Sequence, residues 1–62
     1  MAANVDQVIA EAQLTVTDSA SMYHKVYCAA ERAGLPARAV THEAAVKLGF
    51  DKNTIQALEA WY

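Results

Sequence analysis

The side chains in this sequence best suited to chemistry are a histidine and the single cysteine, His24 and Cys28. They stand four residues apart, so on a helix they would share one face, as a pair of zinc ligands does. A closed structural zinc site needs four ligands, and His42 is the only other histidine. Carboxylates or a second chain would have to supply the rest, so we predict no metal site.

Catalytic chemistry has equally little support in the residue types. His24 could activate Cys28 as a nucleophile, but a lone cysteine in an alanine-rich helix is usually a small buried hydrophobic residue. Two glycines in the whole chain cannot build a glycine-rich phosphate loop, and no paired-carboxylate site is present. We therefore expect no catalytic residue, no cofactor and no small-molecule substrate, and we predict that the protein is not an enzyme.

Length and composition limit the class of protein. A chain of 62 residues builds one domain with a thin core, and at 55% hydrophobic and 19% charged it should fold rather than stay disordered. One cysteine allows no intrachain disulfide, so association with a second copy is an expected source of stability.

Charge and hydropathy suggest the environment and the partners. The formal net charge of −2 argues against nucleic acid, because nucleic-acid-binding proteins usually carry an excess of Lys and Arg on one face. The N-terminus lacks the basic start and apolar run of a signal peptide, and no stretch approaches the length of a membrane span. We expect a soluble, cytoplasmic protein without membrane contact.

Hydrophobic periodicity is helical throughout and predicts a single all-α domain over residues 1–62, a compact bundle of about four short helices. The predicted helices cover 5–13, 19–33, 41–48 and 52–62. Their predicted caps are Asn4, Asp18 or Ser19, Thr41 and Asp51. Gly34 and Gly49 are expected to end the second and third helices in the left-handed conformation.

The second helix carries a wide apolar stripe that includes Tyr23 and Tyr27. A stripe this wide contacts two neighbours, and one of them could belong to a second copy of the chain. In one interpretation the tyrosines lie in a homodimer interface formed by helix two. In the other, they lie at the edge of the core of a monomer. The sequence leaves both readings open.

The segment 41–62 has the interior pattern of a tight two-helix corner. Ala45 is the small residue where two helices cross, Gly49 is the turn, and Ile55 and Leu58 point inward from the last helix. Together with the run A-A-x-x-L-G-F, this pattern resembles the helix-turn-helix DNA-binding family over the C-terminal third of the chain. Members of this size resemble small regulators from bacteria or their phages.

That resemblance implies that the last helix enters the major groove of DNA. Carried onto this chain, Lys52, Asn53 and Gln56 would face base edges and Thr54 would lie near a phosphate. The same residue types are also ordinary for a solvated helix face, and Asp51 places a negative charge where the family often has Ser or Thr.

The same corner is also similar to the first two helices of a ubiquitin-associated domain, through Leu48-Gly49-Phe50 and the pair Ala57-Leu58. That family binds ubiquitin with the loop and the end of a third helix, and no third helix follows Tyr62 in this sequence. The part of the resemblance that remains is an exposed apolar patch formed by Leu48, Phe50, Trp61 and Tyr62, which would bind a protein partner. Alternatively, Trp61 folds back on helix two as part of the core.

These patterns leave two functional hypotheses. The first is a small non-enzymatic regulator that binds DNA through a C-terminal helix-turn-helix. The alternative is a small protein-binding module or inhibitor that modulates a partner protein through an acidic, aromatic surface.

Overall fold

The computed structural model describes residues 5–15 and 17–62. Within them it contains four α-helices and no strand: α1 (Val5–Ala12), α2 (Ser19–Arg32), α3 (Ala37–Lys47) and α4 (Lys52–Glu59). The predicted all-α bundle is confirmed. The predicted cap Asn4 lies outside the described residues. None of the described helices is both long enough and apolar enough to cross a membrane.

Helices α2 and α3 form the centre of the bundle. Each packs against the other and also against α1 and α4, whereas α1 and α4 do not pack against each other. The first core cluster joins α1 to the central pair and consists of Val5, Val8, Ala12, Val26, Ala29, Ala30, Val40 and Ala44. The second core cluster joins α4 to the same pair and consists of Tyr23, Ala45 and Ile55, with Phe50 and Leu58 packed against it.

Aspartate side chains cap the first turns of α2 and α4, as predicted. Asp18 accepts a hydrogen bond from the Ser21 backbone N–H at 2.9 Å, and Asp51 accepts one from the Thr54 N–H at 2.7 Å. These bonds satisfy donors that have no partner inside the helix, and the carboxylate charge is favoured at a helix N-terminus. The two caps therefore set where α2 and α4 begin.

The end of α3 is a glycine-terminated capping motif, again as predicted. Gly49 has a φ of 88°, and beyond it the Phe50 N–H donates to the Ala45 carbonyl at 3.0 Å. This bond across the glycine defines a Schellman motif and brings Phe50 back over the helix that it follows. Gly34 ends α2 with the same motif.

The start of α3 differs from the prediction. The helix begins at Ala37, and Thr41 is an interior residue with 1% of its surface exposed rather than a cap. Pro36 precedes the first turn and provides no side-chain cap, but its fixed φ suits a helix N-terminus. The extra turn also buries Val40 in the first core cluster. This burial stabilises a helical conformation before Thr41, where the capping rule predicted a loop.

The end of α4 also differs from the prediction. Residues 52–62 were expected to be one helix, but α4 ends at Glu59. The chain then tightens, because the Trp61 N–H donates to the Leu58 carbonyl and the Tyr62 N–H to the Glu59 carbonyl, each at 3.1 Å. Bonds of this i to i−3 type are common in the last turn of a helix. The side chains of Trp61 and Tyr62 therefore point in directions different from those of a continued α-helix.

Candidate binding surface

The α3–α4 corner has the interior that its sequence pattern predicted. Ala45 and Ile55 are 2% and 4% exposed and meet the buried ring of Tyr23, while Leu58 is half-buried beside them. Glycine at the turn and alanine at the crossing let the two helices approach closely. The two helices of the corner therefore pack closely on their inner side, and their other side chains form its outer side.

A half-open groove of about 340 Å³ lies on the outer side of this corner. Its apolar lining comes from Val46 on α3, Phe50 in the turn and Ile55 on α4. Val46 is 57% exposed although it is a large apolar residue. The polar residues of the rim are His42, Lys52, Gln56 and Glu59. We call this feature the α3–α4 groove.

Polar contacts of Glu59 hold the C-terminal end of α4 against α3. The His42 Nδ1 lies 2.6 Å from the Glu59 Oε2, and Arg38 donates from Nη2 to the Glu59 carbonyl oxygen at 3.1 Å. The His42 side chain is 54% exposed, so the pair contributes little free energy, but it joins two residues that line the groove.

A second hollow, of about 320 Å³, is lined by Ala20, Leu58, Trp61 and Tyr62. Trp61 is 84% exposed, the largest value among the large apolar side chains of the described residues. The alternative that Trp61 packs into the core on α2 is therefore wrong. We call this feature the Trp61 hollow, and α4 contributes residues both to it and to the α3–α4 groove.

Tyr62, rather than Trp61, folds back on α2. Its ring centroid lies 4.5 Å from that of Tyr27 and 5.4 Å from that of Tyr23, and its hydroxyl lies 3.0 Å from the His24 Nδ1. Burial of the ring, followed by the nearby thiol of Cys28, raises the pKa of Tyr62. The last residue is thus held by one face of α2.

Tyr23 does not lie at a surface. It is 1% exposed, and burial, followed by the negative charge of Glu59, raises its pKa. The prediction of Tyr23 as a protein-interface residue is wrong for this fold, whereas Tyr27 is half-buried and Tyr62 is 38% exposed. A homodimer through α2 stays a prediction, and Tyr27 is the part of the predicted tyrosine pair that remains accessible to it.

The residues predicted to contact DNA lie together on α4. Lys52, Asn53 and Gln56 are exposed, and Lys52 and Gln56 also line the α3–α4 groove. Thr54 is half-buried, and its N–H is bonded to Asp51. Lys52, Asn53 and Gln56 therefore share one side of α4, whereas Thr54, at about 100° per residue, lies on another side of the helix.

Little positive charge surrounds that side. Lys52 is the one basic residue of α4. Lys47 at the end of α3 pairs with Asp6 at 3.2 Å, and Arg38 donates to α4 itself. Phosphate contacts dominate the affinity of proteins for DNA, so this surface supplies few of the groups that such binding needs.

Val46 is a large apolar residue of the α3–α4 groove that was not among the predicted site residues. The helix predicted to begin at Thr41 assigned Ala45 to the helix crossing but left the direction of Val46 unassigned. With α3 beginning at Ala37, Ala44 and Ala45 face the core and Val46 faces outward. An outward valine next to the L-G-F turn was the available signal.

The histidine and cysteine of α2 are brought together as the helical spacing predicted. The His24 Nε2 lies 3.5 Å from the Cys28 Sγ. Among residues 5–15 and 17–62, no group of three His, Cys, Asp or Glu side chains is placed to hold a metal ion.

Comparison of the chain with protein-family models, with curated proteins and with solved structures finds no match. The resemblances to the helix-turn-helix and ubiquitin-associated families accordingly stay predictions that depend on the residues of the corner alone.

Proposed function

We propose that this protein is a small non-enzymatic protein-binding module whose docking surface is α4 with its two flanks, the α3–α4 groove and the Trp61 hollow. The exposure of Trp61 carries the proposal. Tryptophan is the residue type most enriched at the energetic centres of protein interfaces, and 84% exposure is costly without a partner. Val46, 57% exposed, adds apolar surface on the other side of α4.

The chemistry of the groove suggests the kind of segment that fits it. Val46, Phe50 and Ile55 offer an apolar lining for one or two apolar side chains. Lys52 stands exposed on the rim with no bonded partner among the described residues, whereas the carboxylate of Glu59 already contacts His42. The complementary partner is an amphipathic helical turn of another protein, with a carboxylate placed to meet Lys52.

A peptide-library selection on the immobilised domain tests the proposal. Enriched peptides should combine apolar anchors with an acidic residue. Trp61→Ala should weaken their binding at least about tenfold, because truncating a central tryptophan removes on the order of 1.4 kcal/mol or more. Val46→Lys should weaken binding comparably by placing a second cation in the groove.

The matched control is Ala10→Lys, which makes the same kind of change at an exposed position of α1 outside both hollows. Lysine is a good helix former, so neither lysine variant should unfold its helix. Failure of the selection to enrich any peptide above a blank surface, or equal binding by all three variants, would refute the proposal.

DNA binding through α4 stays a second prediction, supported by the shared exposure of Lys52, Asn53 and Gln56. Selection from random duplexes tests it. If the domain binds duplexes in a salt-dependent manner that Lys52→Glu and Asn53→Ala abolish while the helical circular dichroism is unchanged, DNA replaces protein as the proposed partner.

A further inference from the structure

Side chains of opposite charge line the α3–α4 groove at the two ends of α4. Lys52 is the first residue of the helix and Glu59 the last. They are seven positions apart, so at 3.6 residues per turn they share one face of the helix and lie roughly 10 Å apart along its axis. Gln56, which is exposed and also lines the groove, lies between them. The rim therefore has a positive charge at one end and a carboxylate at the other.

A helix face with this arrangement is complementary to its own reversed copy. When two such helices lie antiparallel about a two-fold axis, the first residue of each lies opposite the last residue of the other. Lys52 of one copy then faces Glu59 of the second copy, and the same contact occurs twice in the dimer. A parallel arrangement would bring like charges together instead.

Both charged groups are available for this contact. Lys52 is exposed and has no bonded partner among the described residues. The Glu59 Oε2 lies 2.6 Å from the His42 Nδ1, but a carboxylate has about four acceptor positions on its two oxygens. Glu59 can therefore accept a hydrogen bond from a lysine of a second copy and keep its contact with His42.

The apolar lining of the groove adds contact area. Val46 is 57% exposed, and a second copy that lies over the groove removes its surface and that of Phe50 from water. A standard protein interface buries about 800 Å² on each side. That area is about a fifth of the 4028 Å² that this chain exposes, which corresponds to one face of so small a bundle.

We propose that two copies of this chain associate through α4 in antiparallel orientation, with Lys52 of each copy paired to Glu59 of the other across the α3–α4 groove. The inference rests on the groove that the proposed function uses, and it adds a means of regulation, because a second copy and a partner segment exclude each other there. The interface differs from the predicted homodimer through α2, since Tyr27 does not line the groove.

Sedimentation velocity of the full chain over a wide concentration range tests the proposal. The unmodified chain should show a monomer–dimer equilibrium that weakens as salt is added. Lys52→Glu and Glu59→Lys should each raise the dissociation constant at least about tenfold, because each places two pairs of like charges across the interface. An equimolar mixture of the two variants should restore the dimer, since every contact in the mixed dimer again joins opposite charges.

Glu11→Lys is the matched control for Glu59→Lys. It reverses an exposed carboxylate on α1, which does not pack against α4, and it should dimerise as the unmodified chain does. Circular dichroism checks that each variant is folded. Lys52→Glu, at an exposed position, keeps the test decisive if Glu59→Lys disturbs the fold.

A monomer at every concentration would overturn the inference, and so would a dimer that Tyr27→Lys dissociates and Lys52→Glu leaves intact. A mixture of the two charge variants that stays monomeric, with both folded, would show that the two charges do not meet. The peptide selection is a separate readout. A monomer that binds the selected peptides would keep the proposed function and refute the dimer, whereas a dimer without selected peptides would do the reverse.

Discussion

Two buried hydroxyl groups, those of Tyr23 and Thr41, have no hydrogen-bond partner among the described residues. Both residues are 1% exposed. A buried polar group without a partner costs on the order of 1–3 kcal/mol, and most native proteins contain few of them. Each of these side chains therefore contributes its apolar part to packing while its oxygen opposes folding.

Replacement of Thr41 by valine should stabilise the protein. The substitution keeps the volume and the branched shape and removes the unpaired oxygen, so the free energy of unfolding in urea should rise by about 1 kcal/mol. Thr41→Ser is the control, since it keeps the oxygen, removes the methyl group and should destabilise the protein. A lower free energy of unfolding for Thr41→Val would show that the hydroxyl has a partner in solution.

At the scale of the elements, replacing Gly49, the left-handed glycine of the α3–α4 corner, should lower the free energy of unfolding. A Cβ added at Gly49 meets no atom within 4 Å, so Gly49→Ala is opposed by its φ of 88° and not by a clash. The expected loss is about 1 kcal/mol in the free energy of unfolding. Gly49→Asn should lose less, because asparagine tolerates this conformation better; an equal loss would point to crowding instead.

The two aspartate caps make the stability of the fold depend on pH in the acid range. Hydrogen bonds from Ser21, mainly from its backbone N–H, lower the pKa of Asp18, and hydrogen bonds from Thr54 lower the pKa of Asp51. A pKa that is lower in the folded state than in the unfolded chain stabilises the fold at neutral pH. The benefit begins to fade near the unfolded value of 3.8 and is lost as the pH falls through the folded pKa.

Thermal melts from neutral pH to below 3.8 should therefore show a falling midpoint. The double variant Asp18→Asn with Asp51→Asn keeps a side-chain acceptor at each cap but has no charge to titrate, so its midpoint should fall less over the same range. If the melting midpoint of the double variant falls as much as that of the unmodified chain, titratable groups other than the two caps cause the loss of stability in acid.

The elements that the sequence predicted correctly are those with local signals. Asp18, Asp51, Gly34 and Gly49 act within one turn of their own position, and the capping rules identified them. The start of α3 depends on Val40 contacting the first core cluster, and the direction of Trp61 and Tyr62 depends on where α4 ends. Neither is a property of the local sequence, so the capping rule at Thr41 and the average burial of tryptophan were misleading.

At the scale of the whole molecule, two neighbouring aromatic residues have different surroundings. Trp61→Ala should change the free energy of unfolding by no more than about 0.5 kcal/mol, because an exposed side chain loses little packing. Tyr62→Ala should cost about 1–2 kcal/mol by removing the ring contacts with Tyr23 and Tyr27. Urea unfolding of both variants under one condition measures the difference, and the reverse order would mean that the tryptophan is the buried residue.

Helices α1 and α4 do not pack against each other, and each contacts the central pair α2 and α3 independently. The second core cluster is the smaller of the two, and α4 is only eight residues long. We expect native-state hydrogen exchange to show α4 opening at a lower free energy than α2 and α3, with the interior amides of α2 and α3 exchanging only on global unfolding. A fold of this kind can release the helix that carries the proposed docking surface and keep most of its core closed.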